Sequence, residues 1–281
     1  MAPMTSAQPT EHELESLVRD AVGGSKTAAG ATLARIQDQV YGLAMRMLGH
    51  PADAQDATQE ILVIVLTNLG TFRGESRFRT WVWRVSVNYL MKVRKGRREH
   101  DSFEALADRI EAGLGYDADP DASILAQEVR LRCTQAMLLS LDRDHRIVYI
   151  LAEIFQLDGH QGASILDLDP ATFRKRLSRA RGRLHAFMRA RCGLVDEANP
   201  CRCDRQVAGA VASGRLIPSQ LLFANHGHRG TTSLGAHVEG VDRLFRAAEV
   251  LRSHPDYATP EAVQLEIRAI IESRAVRLLD E

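Results

Sequence analysis

Apolar residues recur every three or four positions through most of the chain, the pattern of helices with one buried face. Ile36, Val40, Leu43, Ala44, Met47 and Leu48 form one such stripe. Gly49 stops that helix, and Pro51 stands where a first helical residue is tolerated, so a second helix is predicted through Asn68. Its residues 61–66 are apolar on every side, as in a helix buried all round. A turn region at 68–76 carries Gly70 and Gly74. A third helix is predicted from about Phe78 to Arg98, with Trp81, Val85 and Leu90 among its apolar positions. Residues 101–121, acidic and broken by Gly113, Gly115 and Pro120, read as a linker. A second helical unit follows at 122–191, then a tail with helical patterns near 238–253 and 260–279. No segment alternates with the period of a strand. The predicted fold is all-α: two small helical bundles joined by an acidic linker, with a mostly helical C-terminal extension. The corresponding divisions are 10–100, 101–121, 122–191 and 192–281.

The second unit contains a helix-turn-helix pattern. Residues 160–166 suit a short helix and 167–169 a turn. Asp169 can cap the next helix by accepting from free backbone N–H groups, and Pro170 loses nothing at its first position. Phe173, Leu177, Ala180, Leu184 and Phe187 then form one buried stripe, with cations over the remaining surface. An apolar face backed by a cationic one after a tight turn is the form of a DNA-recognition helix. Residues near its start reach base edges and later cations meet phosphates. Thr172, Arg174 and Lys175 are therefore assigned to base readout, and Arg176, Arg179, Arg181 and Arg183 mainly to phosphates. A basic helix lying on a membrane or on a partner protein is the alternative.

Charge sharpens this picture. The 281 residues carry 36 Lys+Arg and 36 Asp+Glu, a balance that by itself argues against nucleic acid. The zero is a cancellation. Residues 72–100 hold nine cations against two acids, and 170–191 hold eight cations and no acid, local charges of +7 and +8. Residues 101–123 carry seven acids and one Arg. Two basic blocks separated by an acidic connector point to two polyanion contacts. In the first block Phe72, Phe78, Trp81, Trp83 and Tyr89 interleave with the cations. Aromatic rings among cations suit unpaired DNA, where stacking is worth about 1–3 kcal/mol per base. Trp81, on the apolar stripe, is expected in the core, while Trp83 is open to either role.

These residues resemble a known family. The runs 53–60 (DAQDATQE), 72–81 (FRGESRFRTW) and 84–88 are similar to region 2 of bacterial extracytoplasmic-function (ECF) sigma factors. Residues 141–146 (LDRDHR) and 172–181 (TFRKRLSRAR) are similar to region 4, and the likeness covers roughly residues 10–191. It implies a protein that binds core RNA polymerase and directs promoter-specific initiation. Asp53, Asp56, Gln59 and Glu60 would dock on the polymerase. Arg77, Arg79, Trp83, Arg84, Asn88 and Lys92 would open the minus-10 element and hold its unpaired strand. Thr172, Arg174, Lys175, Arg176, Arg179 and Arg181 would read the minus-35 element. An anti-sigma factor is a further candidate partner. The chain departs from the family where Gln161-Gly162-Ala163 replaces the usual Glu-Ile-Ala. Gly162 removes a packing residue at a cost of about 1 kcal/mol of helix propensity, so weak minus-35 binding, or bracing of this helix by the tail, is expected. Asp167 stands at the usual turn glycine, and Asp tolerates the left-handed conformation better than most residues.

Cys192, Cys201 and Cys203 cluster after the recognition helix and, with His226 or His228, could complete a zinc site. Three reduced thiols are the alternative, and Cys133 reads as an ordinary buried residue. Four cysteines in a chain this long form no disulfide framework, and no apolar run approaches the roughly 18 residues of a membrane span. With no secretory pattern at the N-terminus, a cytoplasmic protein without membrane insertion is expected. Residues 113–118 only loosely match a dinucleotide fingerprint, 24–27 lack the Gly-Lys of a P-loop, and His12-Glu13 lacks a second His. No catalytic constellation stands out, so a non-enzyme is expected. Two other readings stay open at this point: a stand-alone helix-turn-helix regulator, and a metal or thiol sensor. The extension is expected to fold back on the two units and modulate them.

Overall fold

Ser25 accepts a hydrogen bond from Ala28 N and so caps a long helix, Lys26–Leu48, which ends at Gly49 in the left-handed conformation (φ 72°). In this computed structural model, residues 11–93, 102–116, 123–224 and 243–273 are described. The helices are α1 (Glu11–Val22), α2 (Lys26–Leu48), α3 (Pro51–Thr67), α4 (Phe78–Lys92), α5 (Phe103–Gly113), α6 (Ser123–Leu139), α7 (Arg143–Tyr149), α8 (Gly159–Ile165), α9 (Pro170–Arg191), α10 (Arg205–Ala212), α11 (Arg243–Arg252) and α12 (Glu261–Glu272). A short π-helical turn at Ile150–Ile154 follows α7 directly. The described residues contain no strand, only one isolated parallel bridge between Cys192 and Cys201. The all-α expectation holds.

The third predicted helix is shorter than expected. It ends at Lys92, because Val93 is extended. Arg143 meets the freed carbonyls there, donating to Leu90 O, Met91 O and Val93 O at 2.9, 3.3 and 2.7 Å. The remainder of the predicted helix lies outside the described residues. The acidic connector is also more ordered than a plain linker. Ser102 caps α5 by accepting from Ala105 N, and Leu106, Ala107 and Ile110 form its buried face. Acid-rich composition concealed that stripe. α5 packs on α6 and α10; a Cβ on Gly113 would run into the Gln206 side chain, so glycine permits the close approach.

The two bundles pack against each other. One continuous core runs from Leu14 through Phe78, Leu131 and Phe173 to Ile271. The units are joined by polar contacts as well. Buried Arg146 donates to Leu138 O, Leu139 O and Leu141 O of its own unit and reaches Met47 O across the junction. Gln135 Nε2 donates to Arg46 O at 3.0 Å. The extension adds a third set of ties. Glu128, fully buried, accepts from Leu222 N, Phe223 N and Ala224 N at 2.8–2.9 Å and from Arg132 Nε at 2.6 Å. Four charge-assisted bonds of this kind answer the cost of burying a carboxylate.

Candidate nucleic-acid interface

The helix-turn-helix is built as its sequence requires. Asp158 accepts from His160 N and Gln161 N, both at 2.8 Å, and Gln161 Oε1 accepts from Asp158 N at 3.2 Å. Gln161, a departure from the family pattern, thus completes a reciprocal cap. Asp167 turns the chain at φ 52°. Asp169 accepts from Ala171 N and Thr172 N at 3.0 and 2.9 Å, and bonds from Thr172 hold its carboxyl below the usual range. The expectation that Gly162 leaves a packing defect is overturned. A Cβ there would lie 2.4 Å from Phe173 Cζ, so the ring from α9 occupies the space and only glycine fits. Among the described residues the bracing comes from the recognition helix and from α4.

On α9 the stripe Phe173, Leu177, Ala180, Leu184 and Phe187 is buried, while Arg174, Lys175 and Arg179 are exposed. The other predicted DNA residues are partly engaged. Thr172 serves the cap. Arg176 pairs with Asp144 at 3.6 Å. Arg183 lies 3.6 Å from Asp142 and over the Phe103 ring. Arg181 is bound by buried Glu153, which also takes Arg252 of α11 at 2.9 Å.

The first basic block is more occluded. Trp83 is 6% exposed and packs on Phe155 with ring centroids 4.6 Å apart; in this conformation it cannot stack on a base. Arg84 donates to Ser164 Oγ at 2.7 Å and Ser164 O at 3.1 Å in α8. Trp81, expected in the core, is only partly buried, against Phe72 and Phe78. Arg79 donates to Gln39 at 2.9 Å and lies 3.4 Å from Glu11. Arg77, Asn88 and Lys92 are exposed. On α3, Asp56 and Glu60 are exposed, and Asp53 and Gln59 are half-buried. Burial first, then Glu60 and Asp56, raise the Tyr89 hydroxyl above its ordinary range. α12 packs against both α2 and α3, burying Val263, Ile267 and Ile271.

Several residues that matter to the arrangement were not singled out from the sequence. Arg46 is 4% exposed and lies between the rings of Phe155 and Tyr257, at 5.3 and 5.1 Å, while donating to Gly42 O and Pro255 O. It therefore joins α2, the π-helical turn and the extension. Glu128 and Glu153 act similarly. For Arg46 and Glu153 the signal was a charge standing inside an apolar run, a placement that costs free energy unless a partner is supplied; Glu128, with Gln127 and Arg130 beside it, carried no such mark.

The three cysteines proposed as zinc ligands line one cavity, and Cys133, packed against the core, lines it too. Among the described residues no group of three or more His, Cys, Asp or Glu is arranged to hold a metal ion. His226 and His228 lie outside the described residues.

A capped helix-turn-helix with a cationic outer face, next to a second basic and aromatic helix, defines a DNA-binding protein of the helix-turn-helix class. Residues 33–99 match the family model for sigma-70 region 2, and residues 131–184 that for sigma-70 region 4. The chain is 30% identical over 179 residues to the RNA polymerase sigma-H factor of Pseudomonas aeruginosa, covering 61% of this chain and 92% of that one. It is 32% identical over 173 residues to the ECF RNA polymerase sigma-E factor of Escherichia coli strain K12, covering 59% and 88%. Among solved structures, CnrH in complex with the cytosolic domain of CnrY matches with 25% identity and a TM-score of 0.46, covering 62% of this chain and 96% of that one. The chain belongs to the ECF sigma factors. It is thus a factor for promoter-specific transcription initiation, and the sigma family is not a class of enzymes. No described helix is long and apolar enough to cross a membrane.

Proposed function

We propose that this chain is a sigma factor whose C-terminal extension holds regions 2 and 4 together in a closed state that must open before region 2 can engage the minus-10 element. Within that reading Asp53, Asp56, Gln59 and Glu60 dock on core RNA polymerase. Arg77, Arg79, Trp83, Arg84, Asn88 and Lys92 hold the opened minus-10 strand. Arg174, Lys175 and Arg179 contact the minus-35 element at once, and Thr172, Arg176 and Arg181 once their present partners release them. Polymerase and promoter place it in the cytoplasm.

The observation that carries the closed state is the position of Trp83 and Arg84. Both point into the junction with region 4, where Phe155 and Ser164 occupy them. The extension then ties that junction through Arg46, Glu128 and Glu153, and α12 lies against α3, the helix assigned to polymerase docking. The test is run-off transcription with core polymerase. A chain ending at Arg191 and the full-length variant Glu128→Gln are both expected to initiate more efficiently than the parent, by several-fold. If both fold and neither exceeds it, the inhibitory role is wrong. If the full chain, the shortened chain and the variant all fail to bind core enzyme, the docking assignment is wrong, and Asp56→Arg serves as its negative control.

A further inference from the structure

A cavity of about 450 Å³ lies where α5, α6, the end of α9 and α10 meet. It is within the usual range for small-molecule sites. Leu106, Val129, Met137 and Phe187 line it with apolar surface, and all four cysteines add soft, weakly polar atoms. Its charged lining is of one sign. Arg109, Arg132, Arg191 and Arg215 contribute, and among the described residues lining it there is no Asp or Glu.

We propose that this cavity binds a small amphipathic organic anion, its apolar body against the α5, α6 and α9 side chains and its acidic head group among the arginines. Three observations support the anionic head. Nε of Arg191 is buried and makes no hydrogen bond among the described residues, although buried donors are nearly always paired. Arg109 and Arg215 line the same cavity, and burial first, then neighbouring Arg109, lower the pKa of the Arg215 guanidinium, so the two cations oppose each other. Arg132 is directed by Glu128 and donates to Arg215 O at 2.7 Å, which fixes part of the rim in place. A carboxylate relieves such crowding, and a planar guanidinium receives it with paired bonds. The thiols are poor counterparts for these cations, since burial and their mutual proximity push Cys201 up to about 11 and Cys203 up to about 12.

The site bridges the linker helix, region 4 and the extension, so an occupant adds contacts that exist only while those three are together. That consequence rests on the closed-state reading; binding itself does not. A ligand selective for the closed arrangement stabilises it by mass action.

Calorimetric titration of the full-length protein with decanoate, below its micelle concentration, tests the proposal, with decanol and decylamine as matched probes. Saturable binding of one decanoate is expected. Decanol, lacking the charge, and the variants Arg191→Gln and Arg215→Gln are each expected to bind about tenfold more weakly, the loss of one charge-assisted hydrogen bond. Decylamine is expected not to bind. As a second reading of place, decanoate should slow alkylation of the four thiols by N-ethylmaleimide. Absence of saturable decanoate binding overturns the proposal. So does equal affinity for decanol or decylamine, or alkylation at the same rate with and without ligand. Decanoate that binds but leaves transcription unchanged confirms the site and counts only against its coupling to the closed state.

Discussion

His254 shows how one side chain can make the closed state depend on pH. Its Nε2 lies 2.6 Å from Thr134 Oγ1 and its Nδ1 2.5 Å from the Tyr257 hydroxyl. Thr134 already donates to Arg130 O and Leu131 O, so its oxygen accepts from an Nε2–H, and Nδ1 accepts from tyrosine. That network assigns a neutral imidazole with one defined tautomer. Burial, then Arg46 and Arg130, hold its pKa well below the ordinary 6.5. Above pH 6.5 the docked and freed forms are both neutral, and the contact has its full strength. Below it, the freed imidazole takes a proton that the docked one refuses, so docking of the extension weakens as pH falls. The thermal midpoint of the parent is therefore expected to fall more between pH 7.5 and 5.5 than that of His254→Gln. Equal falls would remove His254 from the account. Nothing in the sequence marked this residue, because a histidine in a tail acquires its role only from what packs around it. Gly162 teaches the same lesson in reverse: an apparent defect proved to be the space for a ring eleven residues away.

Among the elements, α9 was the most legible. Its cap, its proline and its five-residue apolar stripe are local features, and they fixed start, face and burial together. What could not be read locally was which of its cations are held. Arg174, Lys175 and Arg179 are exposed, whereas Arg181 is bound to Glu153 from a different element. Binding to a duplex carrying the minus-35 element should follow this division. Arg174→Ala or Lys175→Ala is expected to cost about 1–3 kcal/mol, with relaxed discrimination at a base if the contact is to a base edge. Arg181→Ala should cost clearly less in the closed protein, because the parent side chain has to leave an ion pair first. Equal losses at all three positions, read in an equilibrium binding series at fixed salt, would contradict the difference. The linker helix α5 was missed for a different reason. Its buried Leu106, Ala107 and Ile110 make a short stripe, and acidic residues on the outward face dominated the composition. α10 was missed because its eight residues span only about two turns, too short a run for an apolar period to stand out.

At the scale of the molecule, periodicity told which residues face inward but not which units share an interior. Nothing in the acidic connector between the two units indicated that their buried residues belong to one cluster, which reaches from α1 to α12. The chain holds two tryptophans, Trp81 and Trp83, and only Trp83 is enclosed by the junction, so fluorescence reports on it. Glu128→Ala, which frees the segment at 222–224, is expected to shift emission to longer wavelength and make it more easily quenched by acrylamide, with helix content by circular dichroism unchanged. Unaltered quenching would mean that Glu128 does not maintain the closure.

The make-up of that junction has a bearing on how the protein survives being opened. Much of it is guanidinium against backbone carbonyl: Arg143 on the end of α4, Arg146 on Met47, Arg84 on Ser164. When such faces part, water hydrates these polar groups at once, which offsets the apolar surface, Trp83 and Phe155 included, that the shared core releases. Two halves joined by oil alone would come apart sticky and invite aggregation. Joined this way, the factor can be unlatched and relatched in a crowded cell while staying dispersed.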